Sequence, residues 1–367
     1  MYRNSGAKFF IKGLFLIVWL NLLAKVTFSQ TEPKPANIIL MIGDGMGFAQ
    51  ISAAYYVNDM QLNMLTMPVS GLMSIHAYND LVADSGASGT AISSGVKTYN
   101  GAIGVDKDTL PVQSILTYLS EKGKRTGIVV TCAITHATPA AFYAHQPSRK
   151  MEEAIASDFL DSGIAIAIGG GRRFFEKRKS DNRNLVKELQ ANGYSVRNLD
   201  QKNPDFKAVG ASNKIVLFTA DQDPAKSNAN RTYLPDATAF AIDHLSSISD
   251  SGFFLMVEGS QIDWGGHDND TDYILSETLD FDRAVGKALA FAKKDGNTLV
   301  IVMADHETGG MALNKNPRDK TFQASYTSKE HTAVFVPVLA FGPGASFFSG
   351  FYDNTQVNQK LISLTQP

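Results

Sequence analysis

The chain has 367 residues, of which 44% are hydrophobic and 10% aromatic, enough apolar material for one or two folded domains and too much for a disordered polypeptide. Its 34 basic and 36 acidic residues are interspersed and sum to a net charge of -2. No basic stripe of the kind that tracks a phosphate backbone is present, which argues against a dedicated nucleic-acid partner.

Residues 1–29 read as an export signal, with 30–367 as a single domain. Arg3, Lys8 and Lys12 precede an apolar run from Gly13 to Leu20 that continues through Leu22, Leu23 and Ala24, and small Thr27 and Ser29 stand before a cut at Gln30. The run is short for a membrane span, Lys25 interrupts its far end, and no cysteine follows to accept a lipid. The expectation is an exported protein, periplasmic or secreted, with no membrane span once the signal is removed. Cys132, the single cysteine, can form no internal disulfide and reads as a small buried core residue.

Beyond the signal, β-branched apolar runs alternate with helix-period segments. Strands are expected at Asn37 to Ile42, Thr126 to Thr131, Ile164 to Ile168, Lys214 to Phe218, Phe253 to Val257, Thr298 to Met303 and Val334 to Phe341. Helices are expected at Phe48 to Val57, Val112 to Lys122, Met151 to Asp161, Asn184 to Asn192, Ala237 to Ser247 and Thr271 to Lys294. This alternation implies an α/β fold with a large, mainly parallel central sheet and helices on both faces, whose sites form beyond the carboxyl ends of strands. Arg183 to Arg231, outside its one strand and one helix, and Asn314 to Glu330 are more polar and less regular, and read as surface excursions.

Polar groups follow several of these strands. Asp44 stands between Gly43 and Gly45 at the end of a buried strand; alone it is as easily a turn residue as a ligand. Ser85, in Asp84-Ser85-Gly86-Ala87, opens a helix rich in small residues, where it is either an N-cap or a nucleophile aided by the positive helix end. His136 and Thr138 follow the strand that carries Cys132, and a threonine hydroxyl suits a hard cation. Arg149 is a surface arginine or a planar fork for a tetrahedral anion.

The segment Glu258 to His267 is the most telling. A buried strand runs into Glu258, and Asp263 and His267 then stand four apart, able to share a helical face and a metal. Buried and unpaired, such groups would cost several kcal/mol, roughly, so a ligand role is economical. Asp305-His306 repeats the pattern after the next apolar strand, and His331 precedes the last.

These segments resemble the alkaline phosphatase family, closest to the compact enzymes of cold and marine bacteria. The resemblance spans Asn37 to about Phe351 and rests on Gly43-Asp44-Gly45, Asp84-Ser85, Thr135-His136-Ala137-Thr138-Pro139, Ser148-Arg149, Glu258 to His267, Asp305-His306-Glu307-Thr308-Gly309 and Glu330-His331. It implies a phosphomonoesterase that works through phosphoserine on Ser85, with Arg149 on the phosphoryl oxygens and Asp84 steering the guanidinium. It further implies two zinc ions, one on Asp263, His267 and His331 and one on Asp44, Asp305 and His306, and a magnesium ion on Asp44, Thr138 and Glu258. The expected substrates are small phosphate monoesters, and a homodimer is a candidate assembly.

His136 and Trp264 depart from the enteric type of the family, which has an aspartate and a lysine there. His136 could ligate or water-bridge the third ion, and Trp264 removes a positive charge near phosphate. A phosphodiesterase or phosphonate hydrolase of the same superfamily, and a phosphate- or metal-binding protein without catalysis, are the alternative readings.

Overall fold

Fourteen strands run through the computed structural model, which describes residues 34–366 apart from 211, 319 and 320. The expected export signal lies outside the described residues. The strands are β1 (Asn37–Gly43), β2 (Val69–Ser74), β3 (Arg125–Ala133), β4 (Ile166–Gly170), β5 (Ser195–Asn198), β6 (Ile215–Phe218), β7 (Phe253–Gly259), β8 (Thr298–Ala304), β9 (Glu307–Thr308), β10 (Met311–Lys315), β11 (Phe322–Tyr326), β12 (His331–Thr332), β13 (Val336–Phe341) and β14 (Gly350–Asp353). Ten form one sheet in the order β14-β2-β13-β8-β1-β7-β3-β4-β6-β5. Only β13 runs against its neighbours, pairing antiparallel with β2 and β8.

The centre of this sheet is apolar because it is covered on both sides. Every residue of β1, β7 and β8 is buried, as expected of parallel strands whose crossover helices shield both faces. Helices Tyr233–Ser247 and Thr271–Asp295 pack on each other; the first also lies over β3 and β7, the second over β1, β7 and β8. Register aligns the strand ends: Gly43 pairs with Gly259 on one side and Ala304 on the other, and Ile42 pairs with Glu258. Among the described residues no helix is long and apolar enough to cross a membrane.

Some local expectations need correction. Val334 and Phe335 lie before β13 and are exposed. The helix expected from Ala237 begins at Tyr233, a turn earlier, because Pro235 sits in the first turn, where a missing N–H costs nothing. Besides the expected strand β6, the Arg183 to Arg231 stretch contributes β5, which pairs with it at the edge of the sheet. Asn314 to Glu330 falls largely in the β10–β11 hairpin, a separate two-stranded sheet with Met311 opposite Tyr326.

Candidate metal centre

The strand ends deliver the polar side chains to one place. β1 runs into Asp44, β7 carries Glu258 as its penultimate residue and leads to helix Gln261–Asp268, β8 is followed by Asp305 and His306, and β12 begins with His331. Gly45 takes a φ of +72°, and a Cβ there would meet the Asp263 backbone at 2.7 Å and the Thr308 hydroxyl at 2.8 Å. Glycine is therefore required for Asp44 and Asp263 to approach. Helix Ser85–Ser94 is capped by Asp84, which accepts from the Ala87 N–H at 2.9 Å. Ser85 is thus not the cap, and its hydroxyl is left for other use.

That hydroxyl lies 3.2 Å from His306 Nε2 and 3.5 Å from Asp44 Oδ2, in a setting where all three residues are buried. His306 Nε2 is 3.3 Å from Asp44 Oδ1 and 3.4 Å from Asp305 Oδ2. Nearby, Asp263 Oδ1 stands 3.4 Å from Nε2 of both His267 and His331, whose Nε2 atoms are themselves 3.2 Å apart.

The tautomers follow from the opposite side of each ring. His267 Nδ1 donates to the Lys329 carbonyl at 2.5 Å, and His331 Nδ1 to the Ala83 carbonyl at 2.9 Å. His306 Nδ1 faces the Thr308 hydroxyl at 3.2 Å. A carbonyl can only accept, so Nδ1 of His267 and of His331 carries a hydrogen and Nε2 is the atom turned toward the Asp263 carboxylate, the arrangement by which outer partners orient histidine ligands.

A set of divalent cations fits this arrangement. Asp44 Oδ1, Thr138 Oγ1, Glu258 Oε1 and Asp305 Oδ2 are buried with no hydrogen-bond partner. Burial, with the neighbouring Asp305, Asp263 and Glu258 charges, drives Asp44 well above the usual carboxylate range. Burial likewise raises Glu258 and Asp305, each to about 7. The Asp263 hydrogen bond raises His267 to about 9, so a proton serves where a cation would. Oxygen and imidazole donors of this density, orphaned and short of positive charge, suit zinc and a harder ion. Two groupings, Asp263–His267–His331 and Asp44–Asp263–His306, bring their ligand atoms within 4.8 Å of one another.

The anion-binding candidates lie alongside. Arg149 Nη1 donates to Asp84 Oδ2 at 2.9 Å, and Nη2 lies 3.2 Å from His136 Nε2. His136 meets Trp264 edge to face with ring centroids 5.9 Å apart. Burial, assisted by the Arg149 charge, pushes His136 down to about 3, which keeps the imidazole neutral. Residues singled out in the sequence thus make up a Ser85–Asp44–Asp305–His306 cluster, an Asp263–His267–His331 cluster and an Asp84–Arg149–His136–Trp264 cluster.

The alkaline phosphatase family matches residues 35–325. Alkaline phosphatase 4 of Bacillus subtilis is 38% identical, over 97% of this chain and 96% of its own length. Alkaline phosphatase from the Antarctic bacterium TAB5 is 40% identical with a TM-score of 0.86, covering 91% of this chain and 98% of that one. The chain belongs to the alkaline phosphatase family. A histidine-to-aspartate variant of the TAB5 alkaline phosphatase, with a TM-score of 0.85 and covering 91% of this chain and 99% of that one, carries Mg in the site named M3. Streptomycin-6-phosphate phosphatase of Streptomyces griseus, 31% identical over 95% of this chain and 94% of its own length, is also similar.

Three features of this alkaline phosphatase were not singled out from its sequence. Thr308 donates to Asp263 Oδ1 at 2.5 Å while facing His306. Glu307 is buried and accepts from Gln50, from the Gly310 and Met311 amides and from Thr332, tying helix Phe48–Val57 to the strand of His331. Cys132 is buried, as expected, but its thiol points at Glu258 Oε2, 3.4 Å away. Thr308 and Glu307 sit beside the Asp-His pair, and a hydroxyl or carboxylate next to a ligand histidine is the signal that could have found them.

Proposed function

We propose that the protein hydrolyses phosphate monoesters to an alcohol and inorganic phosphate through a phosphoserine on Ser85. The observation that carries this reading is the Ser85 hydroxyl, released from capping and placed 3.2 Å from His306 and 3.5 Å from Asp44. Asp263, His267 and His331 would hold one zinc, Asp44, Asp305 and His306 a second, and Asp44, Thr138 and Glu258 a third ion, magnesium in the family pattern. When bound, the ions supply Lewis-acid charge to the attacking and departing oxygens and make water a competent nucleophile.

The protein's own residues do the rest. Ser85 presents its oxygen from the first turn of helix Ser85–Ser94, whose positive end favours the anion under attack. Attack on phosphorus forms the Ser85 Oγ–P bond and expels the alcohol; water then breaks that bond and returns the serine. Arg149 can grip two phosphoryl oxygens because Asp84 fixes its guanidinium from behind. Loose phosphoryl transfer needs mainly such positioning and charge neutralisation.

The test combines metal content with turnover before and after chelation. Turnover should vanish on chelation, return with zinc, and be lost in Ser85→Ala; activity that survives full chelation, or faster turnover of a methyl diester than of its monoester, would overturn the reading.

Export over residues 1–29 is inferred from their charge and apolar pattern, and N-terminal sequencing of secreted protein should begin at Gln30. A homodimer is supported by an exposed apolar edge in which Phe335 packs on Phe351, with ring centroids 4.7 Å apart, beside Leu72, Phe48 and Val334. A dimer in sedimentation that Phe335→Glu converts to monomer is the expected result; a monomeric native chain would dismiss it.

A further inference from the structure

The third position contains a group that its oxygen ligands do not require. Val130 of β3 pairs in register with Glu258 of β7, and Cys132 follows two residues later in a stretch where the β3 register shifts between Val129 and Ala133. Its thiol is 3.4 Å from Glu258 Oε2. The ligand atoms of Cys132, His136 and Glu258 lie within 4.8 Å of one another. Two further atoms here, Glu258 Oε1 and Thr138 Oγ1, belong to fully buried residues and have no partner.

We propose that Cys132 makes the third position a thiolate site, which takes zinc, or cadmium in its place, in preference to magnesium. The proposal rests on the three-position reading of the metal centre given above. The separation is the one coordination needs: zinc held at about 2.3 Å from sulfur and about 2.1 Å from oxygen, near the tetrahedral angle, keeps the two roughly 3.5 Å apart. Magnesium demands a near-octahedral shell of oxygens and gains nothing from sulfur, whereas a soft thiolate selects zinc or cadmium.

His136 is less available for this purpose. Arg149 can only donate, so while its Nη2 stands 3.2 Å from His136 Nε2 that nitrogen must accept, and the proton sits on Nδ1. That Nδ1 is a buried nitrogen without a hydrogen-bond partner, and neither ring nitrogen offers a free lone pair. Cys132 meets no such conflict, because the groups its thiol faces, the Ala133 carbonyl at 3.2 Å and Glu258 Oε2 at 3.4 Å, are oxygens that only accept. On binding, the S–H bond breaks, its electron pair stays on sulfur to form the bond to zinc, and the proton leaves to solvent.

The experiment uses the full-length chain with every metal position loaded with cadmium, read by thiolate-to-cadmium charge-transfer absorption in the ultraviolet. The native protein should show the absorption of one bound thiolate per chain. Cys132→Ser and Cys132→Ala should lose it, and their zinc-over-magnesium preference at the third position should fall by about tenfold or more in competition dialysis. A fully loaded native protein without the absorption, or a zinc-over-magnesium preference unchanged in Cys132→Ser, overturns the proposal. The native spectrum needs no variant, so poor folding of the alanine form does not shelter the idea. Monoester turnover is followed on the zinc-loaded native protein in parallel: absorption absent with turnover intact removes the thiolate alone, while absent turnover removes the phosphatase reading.

Discussion

Thr308 donates its hydroxyl proton to Asp263 over 2.5 Å, and its oxygen faces His306 Nδ1 at 3.2 Å. One side chain thereby joins the two histidine-bearing ligand groups and assigns their protons: Nδ1–H of His306 to the hydroxyl, the hydroxyl to Asp263. Thr308→Val keeps the shape and removes the link. Zinc affinity in a chelator competition should fall about 10–100-fold, whereas Thr308→Ser should stay near the native value. Equal affinities for Val and Ser would remove the hydroxyl from the explanation.

Trp264 stands edge to face with His136, which in turn touches Arg149. A cation in its place would add positive charge close to the phosphate pocket, and Trp264→Lys should hold the product more tightly. Competitive inhibition by inorganic phosphate should strengthen in the variant, by about three- to tenfold if the added charge contributes roughly 1 kcal/mol. Tighter inhibition in the native protein would count against this.

Arg231 is fully buried and shared between Glu277 and Asp280, at 2.6 and 2.8 Å. Glu277 also accepts from the Ser227 amide, in the segment whose Pro224 carbonyl anchors Gln261 at the start of the Asp263 helix. Removing the cation leaves two carboxylates uncompensated in the interior. Arg231→Met should lower unfolding stability by about 3–5 kcal/mol in denaturant titrations, and Arg231→Met with Glu277→Gln and Asp280→Asn should recover part of it.

Glu152 supplies a pH signature away from the metal ligands. Burial, with the Asp223 charge, lifts it from the ordinary 4.5 to about 7, against a hydrogen bond from Thr135 and the charges of Arg173 and Arg149. The folded state then binds this proton more tightly than the unfolded chain does. Its stabilising contribution is complete below pH 4.5 and is lost as pH rises to about 7. The difference in melting temperature between native protein and Glu152→Gln should therefore change steadily in the variant's favour across that window and level off above it. A constant difference would mean that Glu152 titrates normally.

The candidate centre was readable because its polar side chains follow apolar strands long enough to be recognised: Asp44 after β1, Glu258 in β7 and Asp305 after β8. β9 and β12 are two residues each and exist only through their mutual pairing of His331 with Thr308, so no local pattern announces them. The sheet edge was missed for the same reason, since β2 and β14 are short and only partly buried. Cys132 carried a correct local reading, buried and unpaired. Its contact with Glu258 depends on a strand more than a hundred residues away, which composition and periodicity do not reach.

The three strands that carry Asp44, Glu258 and Asp305 are adjacent in the order β8-β1-β7, yet β1 lies at the beginning of the described chain and its partners more than 200 residues later. Closing loops of that length comes late and slowly in folding. A slip of one residue in either pairing would displace a ligand by about 3.3 Å and turn it to the opposite face. Metal binding at these strand ends would consequently come last, a checkpoint passed only by chains whose central strands have already found their register, and metal retention would serve as an assay of completed folding.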